Sequence, residues 1–179
     1  MGLSRSQQMA RIKGKDTGPE RLLRAELWKR GLRYRLKYPV PAGRPDLVFV
    51  SSRTAVFIDG CFWHGCPYHY VRPRSRTDFW SAKLAENVRR DHRQTLALEK
   101  LGWKVVRIWE HELFAILPQV VGRVASALRG EFEIASSDWR VIRVVPVNQV
   151  GDIEERELVD LRDLSVTQKV RQKRTTKKW

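Results

Sequence analysis

Both cysteines of this chain and two of its four histidines fall in one stretch, Asp59-Gly60-Cys61-Phe62-Trp63-His64-Gly65-Cys66-Pro67-Tyr68-His69. The spacing is Cys-x4-Cys-x2-His, and His111 is available further along the chain. Two thiolates and two imidazoles from Cys61, Cys66, His69 and His111 form a donor set suited to tetrahedral zinc. A disulfide between Cys61 and Cys66 is the rival reading. The neighbouring histidines and the expected cytosolic setting favour the metal. Zinc with four protein ligands has no open position, so it would brace the loop and do no chemistry itself.

The segments around this knot read as an α/β chain. Thr17-Gly18-Pro19-Glu20 is a helix start, with Thr17 as cap, Pro19 in the first turn and Glu20 completing a capping box. Leu23, Leu27 and Trp28 follow at helical spacing, and Gly31 ends the helix. Tyr34, Leu36 and Tyr38 alternate with basic residues, the pattern of a half-exposed strand. The apolar segments 47–50 and 55–58 flank a short polar turn and predict an antiparallel pair at a sheet centre. A long helix is expected from Asp78 as cap to Leu101, with Trp80, Leu84, Val88, Asp91, Thr95 and Leu98 on one stripe. Residues 103–109 read as a third central strand, and 112–129 as one amphipathic helix despite Pro118. Together these give an α/β sandwich around a mixed sheet. Beyond Ser136, Trp139 to Val147 could add a strand pair, the acidic segment 151–163 has a weak helical pattern, and the tail after Lys169 reads as disordered.

The formal net charge of +15 comes from 35 Lys and Arg against 20 Asp and Glu. Such an excess favours polyanions, with nucleic acid ahead of an anionic membrane surface. The basic residues concentrate in residues 1–45 and after Lys169, whereas 131–163 is acidic. No apolar run approaches the roughly 18 residues a spanning helix needs, and residues 1–6 lack the apolar core of a signal peptide. The expected location is therefore the cytoplasm.

Several side chains could carry chemistry, and each has a plainer alternative. Asp46 enters one central strand and Asp59 closes the next, an arrangement that can hold magnesium against a phosphate. Asp46 could equally be a turn residue after Pro45. His64 could take a proton from water, ligate zinc, or be an ordinary loop histidine. Glu20 has its capping role, and Asp91, on a buried stripe, needs a partner such as an arginine. Phe62, Trp63 and Trp80 are either core aromatics or wedges that unstack a base step. Arg44, Arg72, Arg74 and Arg76 are candidates for contact with DNA phosphates.

Taken together these residues resemble a family. Gly43-Arg44-Pro45-Asp46, Asp59-Gly60-Cys61-Phe62-Trp63-His64, Phe79-Trp80-x2-Lys83-x3-Asn87-x2-Arg90-Asp91, Gly102-Trp103 and Trp109-Glu110-His111 look like the very-short-patch-repair (Vsr) DNA mismatch endonucleases. Arg5-Ser6, Met9, Ile12, Asp16-Thr17 and Glu20 extend the match to about residues 4–115. The resemblance implies a restriction-endonuclease-like three-layer sandwich. It implies nicking of double-stranded DNA on the 5′ side of the thymine in T·G mismatches, which arise by deamination of 5-methylcytosine. Asp46 would bind magnesium with a backbone carbonyl near Ile58, and His64 would be the general base. Asp91 and Glu20 would assist in the active site. Cys61, Cys66, His69 and His111 would hold zinc, and Phe62, Trp63 and Trp80 would wedge the mismatch. Some members carry histidine where Asp59 stands, so Asp59 could ligate metal directly or replace a base. The division expected is an endonuclease domain at 1–132, with a basic arm at 1–15, and an extension at 133–179 that matches nothing named. A monomer is expected, with double-stranded DNA as partner, repair-pathway proteins as further candidates, and no membrane. The alternatives are a nuclease of restriction type with another specificity and a catalytically silent zinc-containing DNA-binding module. Intact Asp46, Asp59 and His64 argue against silence.

Overall fold

The structure, a computed structural model, describes residues 16–131 and 138–174. The basic arm at 1–15 and the end of the tail lie outside the described residues. Helix α1 (Gly18–Lys29) starts as its sequence predicts. Thr17 Oγ1 accepts from the Glu20 N–H, and Glu20 accepts in return from the Thr17 N–H at 3.3 Å. Leu23 and Leu27, one turn apart, are fully buried, and Gly31 closes the helix at φ 75°.

The central sheet has the order β1 (Leu47–Phe49), β2 (Thr54–Asp59), β3 (Lys104–Trp109). β1 and β2 are antiparallel and β2 and β3 parallel, so the sheet is mixed as expected. Both faces are covered, which explains the nearly continuous apolar runs. On one face Leu47, Phe49, Val56, Val106 and Ile108 pack against Leu23 and Leu27 of α1. On the other, Val48, Ala55, Phe57 and Val105 meet Leu98 of α2 (Thr77–Lys100), the crossover between the two parallel strands. The result is a three-layer α/β sandwich.

Four local expectations need correction. Residues 34–38 form a single bridge, Arg35 to Val48, and Lys37 at φ 53° turns the chain before a strand can extend. Asp78 lies in the first turn of α2; the cap position is Arg76, in a left-handed conformation. The expected stripe on α2 is otherwise buried at Leu84, Val88, Asp91, Thr95 and Leu98. Residues 112–129 are not one helix. α3 (Glu110–Ala115) ends at Ile116, and Pro118 begins α4 (Leu117–Arg129), because proline has no N–H to continue a helix and is suited to a first turn. Phe114 is accordingly exposed, and Val120, Val121, Val124 and Ala127 of α4 join the core.

The fourth correction is the largest. Residues 139–173 form an antiparallel meander, β4 (Trp139–Pro146), β5 (Ile153–Asp160) and β6 (Thr167–Lys173). The acidic segment is strand β5, not a helix, and Lys169–Lys173 belongs to strand β6 rather than a disordered tail. The period of two in β5 is masked because Glu154 and Arg156, an ion pair at 3.5 Å, occupy inward positions beside Leu158. Lys169 and Arg171 of β6 reach Glu155 across the ladder.

This second sheet packs on α2 and on the loop after β2. Val141, Leu158, Val159 and Leu161 meet Leu84, Val88 and Tyr70. The Val141 N–H donates to the Gly65 carbonyl at 2.7 Å. Gly65 has φ +70°, and a Cβ there would come within 2.5 Å of the Val141 carbonyl oxygen, so only glycine fits. Among the described residues no helix is long and apolar enough to cross a membrane.

Candidate active site

Two clusters form where the parallel strands β2 and β3 end. Their register sets Asp59 opposite Trp109. Two residues beyond each lie Cys61 and His111, which brings the sequence-distant histidine to the loop. Cys61 Sγ is 3.2 Å from His111 Nδ1 and 3.9 Å from His69 Nδ1. Cys66 Sγ is 3.6 Å from His69 Nδ1 and 3.8 Å from His111 Nδ1. A tetrahedron with zinc–sulfur bonds of about 2.3 Å and zinc–nitrogen bonds of about 2.0–2.1 Å has edges of about 3.3–3.8 Å. The donor set therefore fits zinc in type and in size. Both thiols are free, so there is no disulfide. The hydrogen bond between them holds the Cys66 thiol below its ordinary value and pushes Cys61 up, as for two sulfurs sharing one proton. Glu110, at the start of α3, accepts from the Cys61 N–H at 2.7 Å and fixes the loop.

Beside this knot lies a cleft of about 690 Å³ whose lining includes Glu20, Asp46, Ile58, Asp59, His64 and Asp91. Asp46 is pinned just ahead of β1. Its N–H donates to the Val56 carbonyl, and its Oδ2 accepts from the Ile58 N–H at 2.7 Å. Burial pushes the Asp46 carboxyl up to about 6, and the charges of Glu20 and Asp59 act in the same direction. A carboxylate strained this way, among other carboxylates, suits a hard cation that prefers oxygen ligands.

His64 sits on the turn after β2, with its N–H donating to the Gly60 carbonyl. Asn87 of α2 donates to the Trp63 carbonyl at 2.8 Å and anchors the same turn. His64 Nδ1 lies 2.5 Å from Asp91 Oδ2 and 3.6 Å from Asp59 Oδ1. With Nδ1–H donated to Asp91, Nε2 carries the lone pair available for a proton. Burial would raise the Asp91 carboxyl, but the His64 hydrogen bond and the Arg107 guanidinium hold it below its ordinary value.

The structure thus brings Glu20, Asp46, His64 and Asp91 to one cleft. Glu20 keeps its capping role as well and is held by Arg24 at 2.6 Å. Asp59 also lines the cleft and lies with His64 and Asp91 in a group that could hold a metal ion. It is 1% exposed, and both its oxygens are taken by guanidiniums. Arg107 donates from Nε and Nη2 at 2.8 and 2.7 Å, and Arg140 from Nη2 at 2.9 Å. Sequence reasoning missed both arginines. Arg107 did leave a signal, a lone charge inside the apolar run of β3, whereas Arg140 lies in the extension with no local mark.

Phe62, Trp63 and Trp80 form one half-buried group, with ring centroids 5.0–6.0 Å apart. Trp63 also lines the cleft, and Phe62 and Trp80 pack behind it. Arg44 lines the cleft as well. Arg72, Arg74 and Arg76 lie on the loop leading to α2, outside the lining, with Arg76 over the Phe79 ring at 4.5 Å.

Comparison with known proteins bears on this arrangement. Residues 3–69 match the family model for DNA mismatch endonuclease Vsr. The chain is 46% identical over 116 residues to the type II nicking enzyme V.NaeI of Lentzea aerocolonigenes, a match covering 62% of this chain and 69% of that protein. It is 44% identical over 111 residues to the type II nicking enzyme V.NmeAIP of Neisseria meningitidis serogroup A, covering 61% and 79%. It is 40% identical over 109 residues to DNA mismatch endonuclease Vsr of Escherichia coli K12, covering 60% and 69%. Among solved structures, the catalytic domain of the homing endonuclease I-Bth0305I aligns at TM-score 0.47 and 18% identity, covering 66% of this chain and all of that domain. The Vsr and nicking-enzyme relatives make this chain a DNA endonuclease. The chain belongs to the Vsr family.

Proposed function

We propose that this endonuclease nicks one strand of double-stranded DNA on the 5′ side of the thymine in T·G mismatches, by magnesium-dependent hydrolysis. The observation that carries the reading is the His64–Asp91 pair at 2.5 Å, sharing a cleft with the buried carboxylate Asp46. Asp46, with a backbone carbonyl near Ile58, holds the magnesium, which when bound neutralises phosphate charge and activates water. His64 Nε2 takes the proton of the attacking water, and Asp91 stabilises the imidazolium that results. The P–O3′ bond breaks, and the products carry a 5′-phosphate and a 3′-hydroxyl. Phe62, Trp63 and Trp80 enter the mismatched step, where unstacking costs least. Support for the mismatch comes from the relative named a DNA mismatch endonuclease, and for one-strand cleavage from those named nicking enzymes.

The test is incubation of the protein and magnesium with end-labelled duplexes, either T·G-mismatched or fully paired. A single nick 5′ to the mismatched thymine is expected, with the paired duplex intact. Equal cutting of both would replace mismatch repair with a restriction-type specificity, and no cutting of either would leave a DNA-binding module.

The cysteine–histidine knot holds zinc as a brace. Protein purified without chelator should contain one zinc per chain, and Cys66→Ser protein less. Stripping the zinc is expected to lower the melting temperature by roughly 10 °C or more, because ligand binding to the native state is stabilisation. An unchanged melt after complete removal of zinc would show that hydrogen bonds alone hold the loop.

A further inference from the structure

Arg140 raises a question that the cleft alone does not answer. It belongs to β4 of the C-terminal sheet, yet it is 1% exposed and makes its ion pair with Asp59, 81 residues earlier in the chain. Burying a guanidinium is unfavourable unless it is well paired, so a purely incidental position is disfavoured. The pairing is well built. The Arg140 guanidinium lies over the Trp109 ring at 4.1 Å, at the end of β3. The next residue, Val141, is also buried and is bonded to Gly65 in the turn that carries His64. The ladder between β4 and β5 shifts register between Val141 and Arg143, a bulge of the kind that re-aims side chains.

The consequence falls on His64. Two buried carboxylates face its Nδ1, Asp91 at 2.5 Å and Asp59 at 3.6 Å, and the second distance is too long for a hydrogen bond. Asp59 is kept at that distance by its guanidinium partners. Arg107 is shared, because its Nη2 also lies 3.3 Å from Asp91. Arg140 adds a second guanidinium to Asp59, at 2.9 Å. Without it, Asp59 would hold excess charge beside the imidazole and beside any cation at Asp46, and would compete for both.

We propose that Arg140 is a positioning residue of the endonuclease site: with Arg107 it withholds Asp59 from His64, so that Asp91 alone sets the ring's tautomer and aim. The C-terminal sheet is then part of the active site rather than an appendage to it. This rests on the reading of His64 as the proton acceptor.

The experiment uses the full chain and three variants, Arg140→Met, Arg140→Lys and the double variant Arg140→Met/Asp59→Asn. Zinc content, melting temperature, duplex affinity, single-turnover nicking rate and the ¹⁵N spectrum of the His64 imidazole are measured on each. Arg140→Met is expected to keep its zinc and its duplex affinity and to nick about 100-fold more slowly, the usual cost of a misplaced catalytic group. Its His64 spectrum should move from one tautomer to a mixture. Arg140→Lys should recover part of the rate, and the double variant should nick faster than Arg140→Met, because the carboxylate left unpaired is gone. A wild-type rate and an unchanged imidazole spectrum in Arg140→Met would overturn the proposal. So would loss of zinc or of folding in all three variants, which would make the arginine a structural brace. Should the wild-type protein itself nick no duplex, the proposed function fails, and the imidazole spectra still decide whether Arg140 positions His64.

Discussion

Asp46→Asn is expected to abolish nicking while leaving duplex binding almost intact. In the proposed reaction this carboxylate holds the cation against the scissile phosphate, and losing several kcal/mol of transition-state charge stabilisation slows the reaction by about a thousandfold or more. The same substitution should make the metal-free protein more stable at neutral pH. Burial raises the Asp46 pKa to about 6 in the folded chain, against 3.8 for the unperturbed group. The folded state therefore holds this proton up to a higher pH than the unfolded state does. Stability is lost as pH rises from about 4 to 6, and the loss is complete above that. Asparagine, which can still accept from the Ile58 N–H, removes the penalty, a gain of roughly 3 kcal/mol at pH 7. Denaturant melts of both proteins without metal, at pH 4 and pH 7, measure it: the gap should open only at the higher pH. A variant that loses both nicking and stability would show Asp46 to be a structural turn residue.

The second large effect is at His64. His64→Ala is expected to slow nicking by about 100- to 10,000-fold, the range over which a positioned general base contributes. Zinc content should not change, because the four knot donors are Cys61, Cys66, His69 and His111 and His64 is turned to Asp91 instead. Asp91→Asn should approach the same loss without removing the imidazole, since an amide no longer stabilises an imidazolium. Single-turnover rates together with metal analysis separate the outcomes. Loss of zinc from His64→Ala would make the residue a ligand, and a rate within threefold of wild type would move the proton acceptor elsewhere.

The acidic residues of the cleft were legible in the sequence for different reasons. Strands β1 and β2 are buried on both faces, so Asp46 and Asp59 stand out as charges at the edges of apolar runs. Asp91 was marked by its place on the stripe of α2, and its partner turned out to be His64 rather than an arginine alone. Glu20 could be read both as a cap and as a site residue, and it is positioned as both. What stayed hidden depended on contacts distant in sequence. The strand pattern of β5 was obscured because Glu154 and Arg156 are buried by pairing with each other, and hydropathy alone scores both as exposed. Arg140 carries no local mark in the sequence, because the partner that buries it lies at the far end of β2. Pro118 was read as a flaw within one helix, although its missing N–H made it the start of another.

The register that sets Asp59 opposite Trp109 also has a bearing on synthesis. Ribosomes release a chain from its N-terminus, and the cysteine–histidine knot draws on residues 50 positions apart. A nascent polypeptide that has emerged only as far as α2 has Asp46, His64 and Asp91 but no β3 beside them, and nothing to close the loop that carries the histidine. Arg140 emerges later still. The cluster around Asp59 and His64 is thereby among the last parts of the fold to be completed.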